Sequence, residues 1–231
     1  MQNCGRPNPQ GGNGMRIYWP GSIRFESRIV TGIWKITLES GSCSYVERTQ
    51  TRWLMSIEIE KLIKAENWSA ARQAIRLRLR SSPHDHWLLT RLGLTYYEQR
   101  RYRQALKYHQ RALEKMPNCP LALWDYAGAL EMLDQTEEAL SVYRRLVRRG
   151  VSAIAHGTCG EGLAWGRGLI ADCHYRMAHC YRAKRQRGMA RKSLLSHLSL
   201  RGPGCRSIYP LATVRRELRA LQGRDLNGPS K

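Results

Sequence analysis

The sequence predicts an all-α fold in which pairs of helices stack into a solenoid. The first observation is a repeat: Ala71, Ala105 and Ala139 follow one another at intervals of 34 residues, and the same interval separates Pro83 from Pro117. The second is that apolar residues recur three or four positions apart, as they do on one face of a helix. A repeat of this length is typical of a solenoid, because each unit buries its apolar face only against its neighbours.

The best-defined unit runs from Trp87 to Pro120. Residues at helical spacing predict two helices. In the first half these residues are Leu89, Leu92, Gly93 and Tyr96, and in the second half they are Tyr102, Ala105, Leu106, His109 and Ala112. Pro117 ends the second helix, because proline has no amide hydrogen for the helical ladder. The unit is therefore one helix-turn-helix pair.

The same pattern predicts four helix pairs and one last helix. The pairs cover Ser56 to Ala65 with Ser69 to Arg80, His86 to Gln99 with Tyr102 to Lys115, Leu121 to Leu133 with Thr136 to Arg149, and Ala171 to Ala183 with Met189 to Leu200. The last helix, Pro210 to Gln222, places Leu211, Val214 and Leu218 on one side. A solenoid needs a cover for its final apolar face, and this helix is the candidate cap.

One insertion interrupts the repeat between the third and fourth pairs. Ala190 follows Ala139 by 51 residues, 17 more than the period, and residues 151–168 contain five glycines. This composition predicts an inserted loop or a broken short helix. The expected organisation is a leader or disordered tail at 1–51, an array at 52–201 with the insertion at 151–168, a linker and capping helix at 202–222, and a disordered tail at 223–231.

The repeat resembles a known family at defined positions. In the clearest unit these are Leu92, Gly93, Tyr96, Ala105, Tyr108 or His109, Ala112 and Pro117; in the next unit they are Ala127, Ala139, Tyr143 and Leu146; the unit before matches less closely, at Leu62, Trp68, Ala71, Ile75 and Pro83. These residues and the period resemble the tetratricopeptide repeat family. The resemblance covers roughly Met55 to Leu200, which leaves the stretch before Met55 as a candidate leader, although Trp53 lies in the register of the repeat.

The resemblance implies a right-handed solenoid whose first helices line a concave groove for a peptide or a partner protein. The residues expected to line it are Trp53, Trp87, Thr90, Leu94, Tyr97, Leu121, Trp124, Tyr175 and His179. Large aromatic side chains suit such a groove because they dominate many interfaces. The alternative is that Trp87 and Trp124 only pack between neighbouring helices. Thr90 and Leu94 stand where the family's clamp for a C-terminal carboxylate would begin, so capture of chaperone tails is not expected.

The charge balance suggests a second function. The chain has 39 Lys+Arg against 18 Asp+Glu, which favours acidic partners or polyanions. The candidate basic surface consists of Arg100, Arg101, Arg103, Arg144, Arg145, Arg148, Arg149, Arg185 and Arg187. Most of these residues fall on second helices and turns, where solvated charge is ordinary, and no nucleic-acid motif accompanies them. A protein or peptide partner, with acidic ones favoured by the charge, is therefore the first expectation, and RNA or DNA binding is the alternative.

The cysteines and histidines offer only a weak site. His156, Cys159, Cys173 and Cys180 are candidate zinc ligands, but no paired CxxC spacing supports them, and the repeat register makes Cys173 and Cys180 buried core residues. Cys159 beside Glu161 and near His156 lacks the geometry that would define a thiol nucleophile. We therefore expect no catalysis, cofactor or small-molecule substrate.

The seven cysteines also lack the dense spacing of a secreted disulfide framework, which favours a reducing compartment. No apolar stretch reaches the roughly 20 residues that cross a bilayer. The sequence therefore predicts a cytoplasmic protein without a membrane partner.

Overall fold

The computed structural model of the chain describes residues 56–223, which contain nine α-helices and no strand. The helices are α1 (56–64), α2 (Trp68–Ser81), α3 (His86–Tyr97), α4 (Tyr102–Lys115), α5 (Pro120–Glu131), α6 (Thr136–His156), α7 (Leu163–Ala183), α8 (Arg187–Leu200) and α9 (Leu211–Gly223). The prediction of an all-α repeat fold is confirmed. The expected leader, Trp53 and the tail beyond residue 223 lie outside the described residues.

The turn inside each helix pair has the same backbone conformation. A residue two or three positions after the end of the first helix adopts a positive φ, between 56° and 61°, at Glu66, Arg100, Asp134 and Arg185. The next amide then donates to a carbonyl five residues back, as in the bond from Arg101 to Tyr96 at 2.9 Å. This is the Schellman ending of a helix, and it satisfies carbonyl groups that the helix leaves unpaired. The first three turns are 34 residues apart (100 − 66 and 134 − 100), so the turn repeats with the sequence period.

The alanines that define the period lie where helices meet. Ala71, Ala105, Ala139 and Ala190 each have 0% of their surface exposed. From α2 to α9 every helix contacts the next one, and α3 also contacts α5. A small side chain at these positions lets neighbouring helices approach closely, which is why the same residue recurs in each pair. The described part of the chain is therefore an α-solenoid of four helix pairs.

The segment 151–168 is largely helical, which contradicts the inserted loop and agrees with the broken helix, the other alternative that its glycine content predicted. Helix α6 changes direction at Gly150, where φ is 77°, and then continues to His156. Helix α7 begins at Leu163, so the connection spans only residues 157–162. The 17 residues in excess of the period therefore mainly lengthen two helices.

Close packing explains why this segment is rich in glycine. A side chain on Gly160 would overlap the backbone carbonyl of Ala155, and the Cβ of a residue at Gly166 would lie 3.1 Å from the carbonyl oxygen of Val151. These glycines are required by backbone contacts, and composition alone cannot separate that requirement from flexibility.

The last helix covers the end of the array, as predicted. Val214 of α9 is fully buried and shares an apolar cluster with Leu194 of α8. Just before α9, Tyr209 stacks on Tyr175 of α7 with ring centroids 3.9 Å apart. None of the helices between residues 56 and 223 has the length and apolar character needed to cross a membrane.

Candidate functional site

Side-chain contacts join the first helices of successive pairs. Arg91 of α3 pairs with Glu60 of α1 at 2.6 Å, and Arg176 of α7 pairs with Glu131 of α5 at 2.8 Å. Between these two ion pairs, Tyr97 of α3 lies against Gly128 of α5. A Cβ added at Gly128 would lie 3.8 Å from the Tyr97 ring. We call the surface that α3, α5 and α7 form around Tyr97, Gly128 and Arg176 the first-helix face.

Arg176 is the most unusual residue of the first-helix face. Its Nε donates to Glu131, which also accepts a 3.2 Å hydrogen bond from the hydroxyl of Tyr143. Its Nη2 is buried and makes no hydrogen bond to any described residue. Burial alone would lower the pKa of Arg176, but Tyr143 and Glu131 outweigh that effect and the pKa is raised. The guanidinium therefore stays charged.

The tyrosine at the centre of this face is neutral. Burial raises the pKa of Tyr97 above its usual value, and the nearby guanidinium of Arg176 opposes that shift only in part. The ring of Tyr97 meets the edge of Tyr102 at a centroid distance of 5.4 Å, which fixes its orientation. The face thus combines one cation, one neutral hydroxyl and aromatic surface.

Five of the predicted groove residues are half-buried on first helices, namely Trp87, Leu94, Tyr97, Leu121 and Trp124. Trp87 lies beneath the guanidinium of Arg91 at 5.4 Å, and its Nε1 has no hydrogen-bond partner among residues 56–223. Trp124 tilts against Tyr143 of α6 at 5.6 Å. Both tryptophans therefore pack between helices while keeping part of their surface in contact with solvent.

Three other predicted groove residues are already engaged within the fold. Thr90 is 1% exposed, and its hydroxyl donates to the carbonyl of His86 in its own helix. Tyr175 donates to Glu217 of α9 at 2.6 Å, and the His179 ring lies 3.0 Å from the same carboxyl group. Helix α9 thus takes up the contacts of Tyr175 and His179, and Thr90 is buried against its own helix.

The predicted basic surface is partly used for internal contacts. Arg145 donates to the side chain of Asn118 at 2.7 Å, and Arg149 donates to the backbone carbonyl of the same residue at 2.6 Å. Arg144 donates to the hydroxyl of Tyr181 and lies over its ring, and Arg187 donates to the carbonyl of Leu221. The exposed remainder consists of Arg100, Arg101, Arg103, Arg148 and Arg185. Since Arg100 and Arg185 occupy the positive-φ turn position, these cations reflect repeat architecture as much as ligand binding.

The four candidate metal ligands do not form a common group within residues 56–223. Cys173 and Cys180 are 0% and 1% exposed within the main apolar cluster, as their register predicted. His156 is exposed at the end of α6. Cys159 instead lies beside His86 and Cys119, two residues that sequence reasoning missed. Their signal was positional, since His86 and Cys119 stand at the starts of first helices in successive repeats and so become neighbours in space.

Comparisons with known proteins agree with this architecture. A family model described as "Tetratricopeptide repeat" matches residues 90–153. Residues 90–153 therefore consist of tetratricopeptide repeats. Proteins with this fold typically serve as non-enzymatic scaffolds that bind other proteins. A comparison with curated proteins gives no match.

Solved structures with this tetratricopeptide fold include MamA from Desulfovibrio magneticus RS-1, which has 16% identity and a TM-score of 0.57 over 75% of this chain and 85% of that one. The apo form of RapI has 16% identity and a TM-score of 0.61 over 76% of this chain and 64% of that one. A tetratricopeptide repeat protein from Parabacteroides merdae ATCC 43184 has 17% identity and a TM-score of 0.53 over 76% and 61% of the two chains. At these identities the similarity shows the fold alone.

Replacing Glu131 with glutamine tests the tetratricopeptide array's central ion pair. We expect a loss of about 1 to 2 kcal/mol in the free energy of unfolding, because the partly buried Arg176 then keeps its charge without a carboxylate. Urea unfolding followed by circular dichroism measures the change. Glu60→Gln is the matched control: Glu60 is 44% exposed in its pair with Arg91, so its loss costs at most about 0.5 kcal/mol. Equal losses in the two variants would contradict the expectation.

Proposed function

We propose that this protein binds a segment of a partner protein on the first-helix face. The observation that carries the proposal is Arg176, a charged side chain that is 19% exposed on this face and lies next to the half-buried Tyr97. A ligand that brings an acceptor to this partly exposed guanidinium gains a charge-assisted hydrogen bond. A repeat scaffold without chemistry of its own accounts for the site better than an enzyme does.

The chemistry of the face indicates what kind of segment would fit. A carboxylate or a backbone carbonyl of the ligand would accept from Arg176. Apolar side chains of the ligand would cover the half-buried Leu94 and Trp124, which lie one helical turn before Tyr97 and Gly128 respectively. The formal charge of +21 also favours an acidic segment, since it raises the rate of encounter with one. The expected ligand is an extended peptide with apolar and acidic residues.

A location in the cytoplasm fits this proposal. The five cysteines within residues 56–223 form no disulfide with one another, as is usual for proteins of a reducing compartment.

Selection from a displayed peptide library, followed by calorimetric titration of the selected peptides, tests this function. The variant Leu94→Glu places a charge on the face and is expected to weaken binding at least about tenfold, which corresponds to about 1.4 kcal/mol. The variant Arg176→Lys keeps the charge but loses the planar donor pair, and we expect a similar effect.

Leu77→Glu is the matched control, because Leu77 is 57% exposed on α2, a second helix. It should leave the affinity unchanged. Selected peptides that bind both face variants as tightly as the wild type would refute the first-helix face as the binding surface.

A further inference from the structure

Three potential metal ligands meet at a point that lies away from the first-helix face. His86 is the first residue of α3, Cys119 directly precedes α5, and Cys159 lies in the connection between α6 and α7. Their ligand atoms all lie within 4.8 Å of one another, and the Nε2 of His86 is 3.4 Å from the Sγ of Cys159. Residues that are distant in sequence thus present two sulfur atoms and one nitrogen to a common point.

The separation of these atoms is close to that of a tetrahedral zinc site. Zinc binds thiolate sulfur at about 2.3 Å and imidazole nitrogen at about 2.0 to 2.1 Å, which places tetrahedral ligands roughly 3.5 to 3.8 Å apart. The observed 3.4 Å between His86 and Cys159 needs only a small outward movement to match. Cys119 comes within range on the same scale, because no pair in the group exceeds 4.8 Å.

The surroundings of the cluster favour a bound metal. His86, Cys119 and Cys159 are 6%, 2% and 6% exposed, and an apolar cluster that includes Leu89 and Ala122 packs around the two cysteines. Cys119 also stands at the start of α5, where the helix dipole favours a negative charge.

We propose that His86, Cys119 and Cys159 bind one Zn²⁺ ion, with the fourth position taken by water. Two thiolates and one imidazole are soft and borderline donors that select zinc over magnesium, calcium or manganese. Three protein ligands with one exchangeable position are a known zinc arrangement. The ion would tie the starts of α3 and α5 to the connection between α6 and α7, and so fix the lengthened helices to the regular repeats.

Binding to the purified full chain tests the proposal. The protein is stripped with a chelator under reducing conditions and titrated with Zn²⁺ in competition with a chromophoric chelator. We expect one equivalent to bind, and we expect Cys159→Ser to weaken the zinc affinity by more than about 100-fold. Removing a metal ligand weakens the affinity at least as much as removing a residue that only hydrogen-bonds to a ligand. Zinc should also raise the melting temperature of the wild type and leave that of Cys159→Ser unchanged.

Cys205→Ser is the matched control, because Cys205 lies outside the cluster and is only half-buried. It should keep the full equivalent of zinc. Titration of the wild type with Co²⁺ is a test that does not depend on the folding of any variant. A tetrahedral thiolate site produces thiolate-to-cobalt charge-transfer absorption. The proposal is wrong if the wild type binds no equivalent of zinc, if cobalt produces no such absorption, or if Cys159→Ser retains the wild-type affinity.

Discussion

Replacing Gly93 with alanine is expected to lower the free energy of unfolding by about 2 to 3 kcal/mol. Gly93 of α3 lies against the imidazole of His109 in α4, and a Cβ at this position would overlap the ring. His109 is 1% exposed, so the ring cannot turn out into solvent and the overlap pushes α3 and α4 apart. The measurement is urea unfolding of the wild type and the variant at pH 7.

Gly128→Ala is the matched control, because it is also a glycine inside a first helix. Its added Cβ would meet nothing closer than 3.8 Å, which is an ordinary contact. Since alanine favours a helix over glycine, this variant should gain about 0.5 to 1 kcal/mol. The double variant Gly93→Ala with His109→Ala should lose less free energy of unfolding than the sum of the two single variants, because the overlap disappears with the His109 ring. Additive losses would contradict the contact that we describe.

The protein should lose stability in mild acid because His109 stays neutral in the folded state. Burial, to which the charge of Arg91 adds, lowers the pKa of His109 to about 3. In the unfolded chain a histidine titrates near pH 6.5, so between about pH 6.5 and pH 3 the unfolded state binds the additional proton. The free energy of unfolding therefore falls as the pH drops through this window, by up to about 1.4 kcal/mol per pH unit from this residue alone.

The variant His109→Gln isolates this contribution. Burial raises the pKa of Asp172 to about 6, and a raised carboxyl pKa acts in the opposite sense, so the total pH profile mixes several groups. We expect the wild type to lose about 2.5 kcal/mol more than His109→Gln between pH 7 and pH 4.5, measured by urea unfolding at each pH. His84→Gln, at an exposed histidine, should follow the wild type. Parallel profiles for the wild type and His109→Gln would show that His109 is protonated in the folded protein.

Much of the fold could be predicted from residue spacing alone. The interval that joins Ala71, Ala105 and Ala139 also separates the positive-φ turns at Glu66, Arg100 and Asp134. Each helix pair packs against its neighbours with the same geometry, so the same residue types recur at the same positions of the repeat. The burial of Cys173 and Cys180 was predictable for the same reason.

Residue spacing does not predict the structure of the segment 151–168. Glycine content indicates either a flexible loop or a close backbone contact, and the sequence holds no information that separates the two. Gly160 and Gly166 turn out to lie against Ala155 and Val151, and only the folded backbone shows this. The break at Gly150 lets the helical direction change without ending helical structure.

The candidate sites depended on tertiary structure to a greater degree. The sequence by itself determined the repeat architecture, the buried alanines and the half-buried aromatic residues on the first helices, because those features depend on neighbours at a fixed interval along the chain. Only the tertiary structure decided that Arg176 meets Glu131, that α9 takes up the contacts of Tyr175 and His179, and that His86, Cys119 and Cys159 converge. Such contacts depend on how helices from different repeats are oriented and on where the added turns of α6 and α7 carry the chain. A periodic pattern in one dimension does not contain that information.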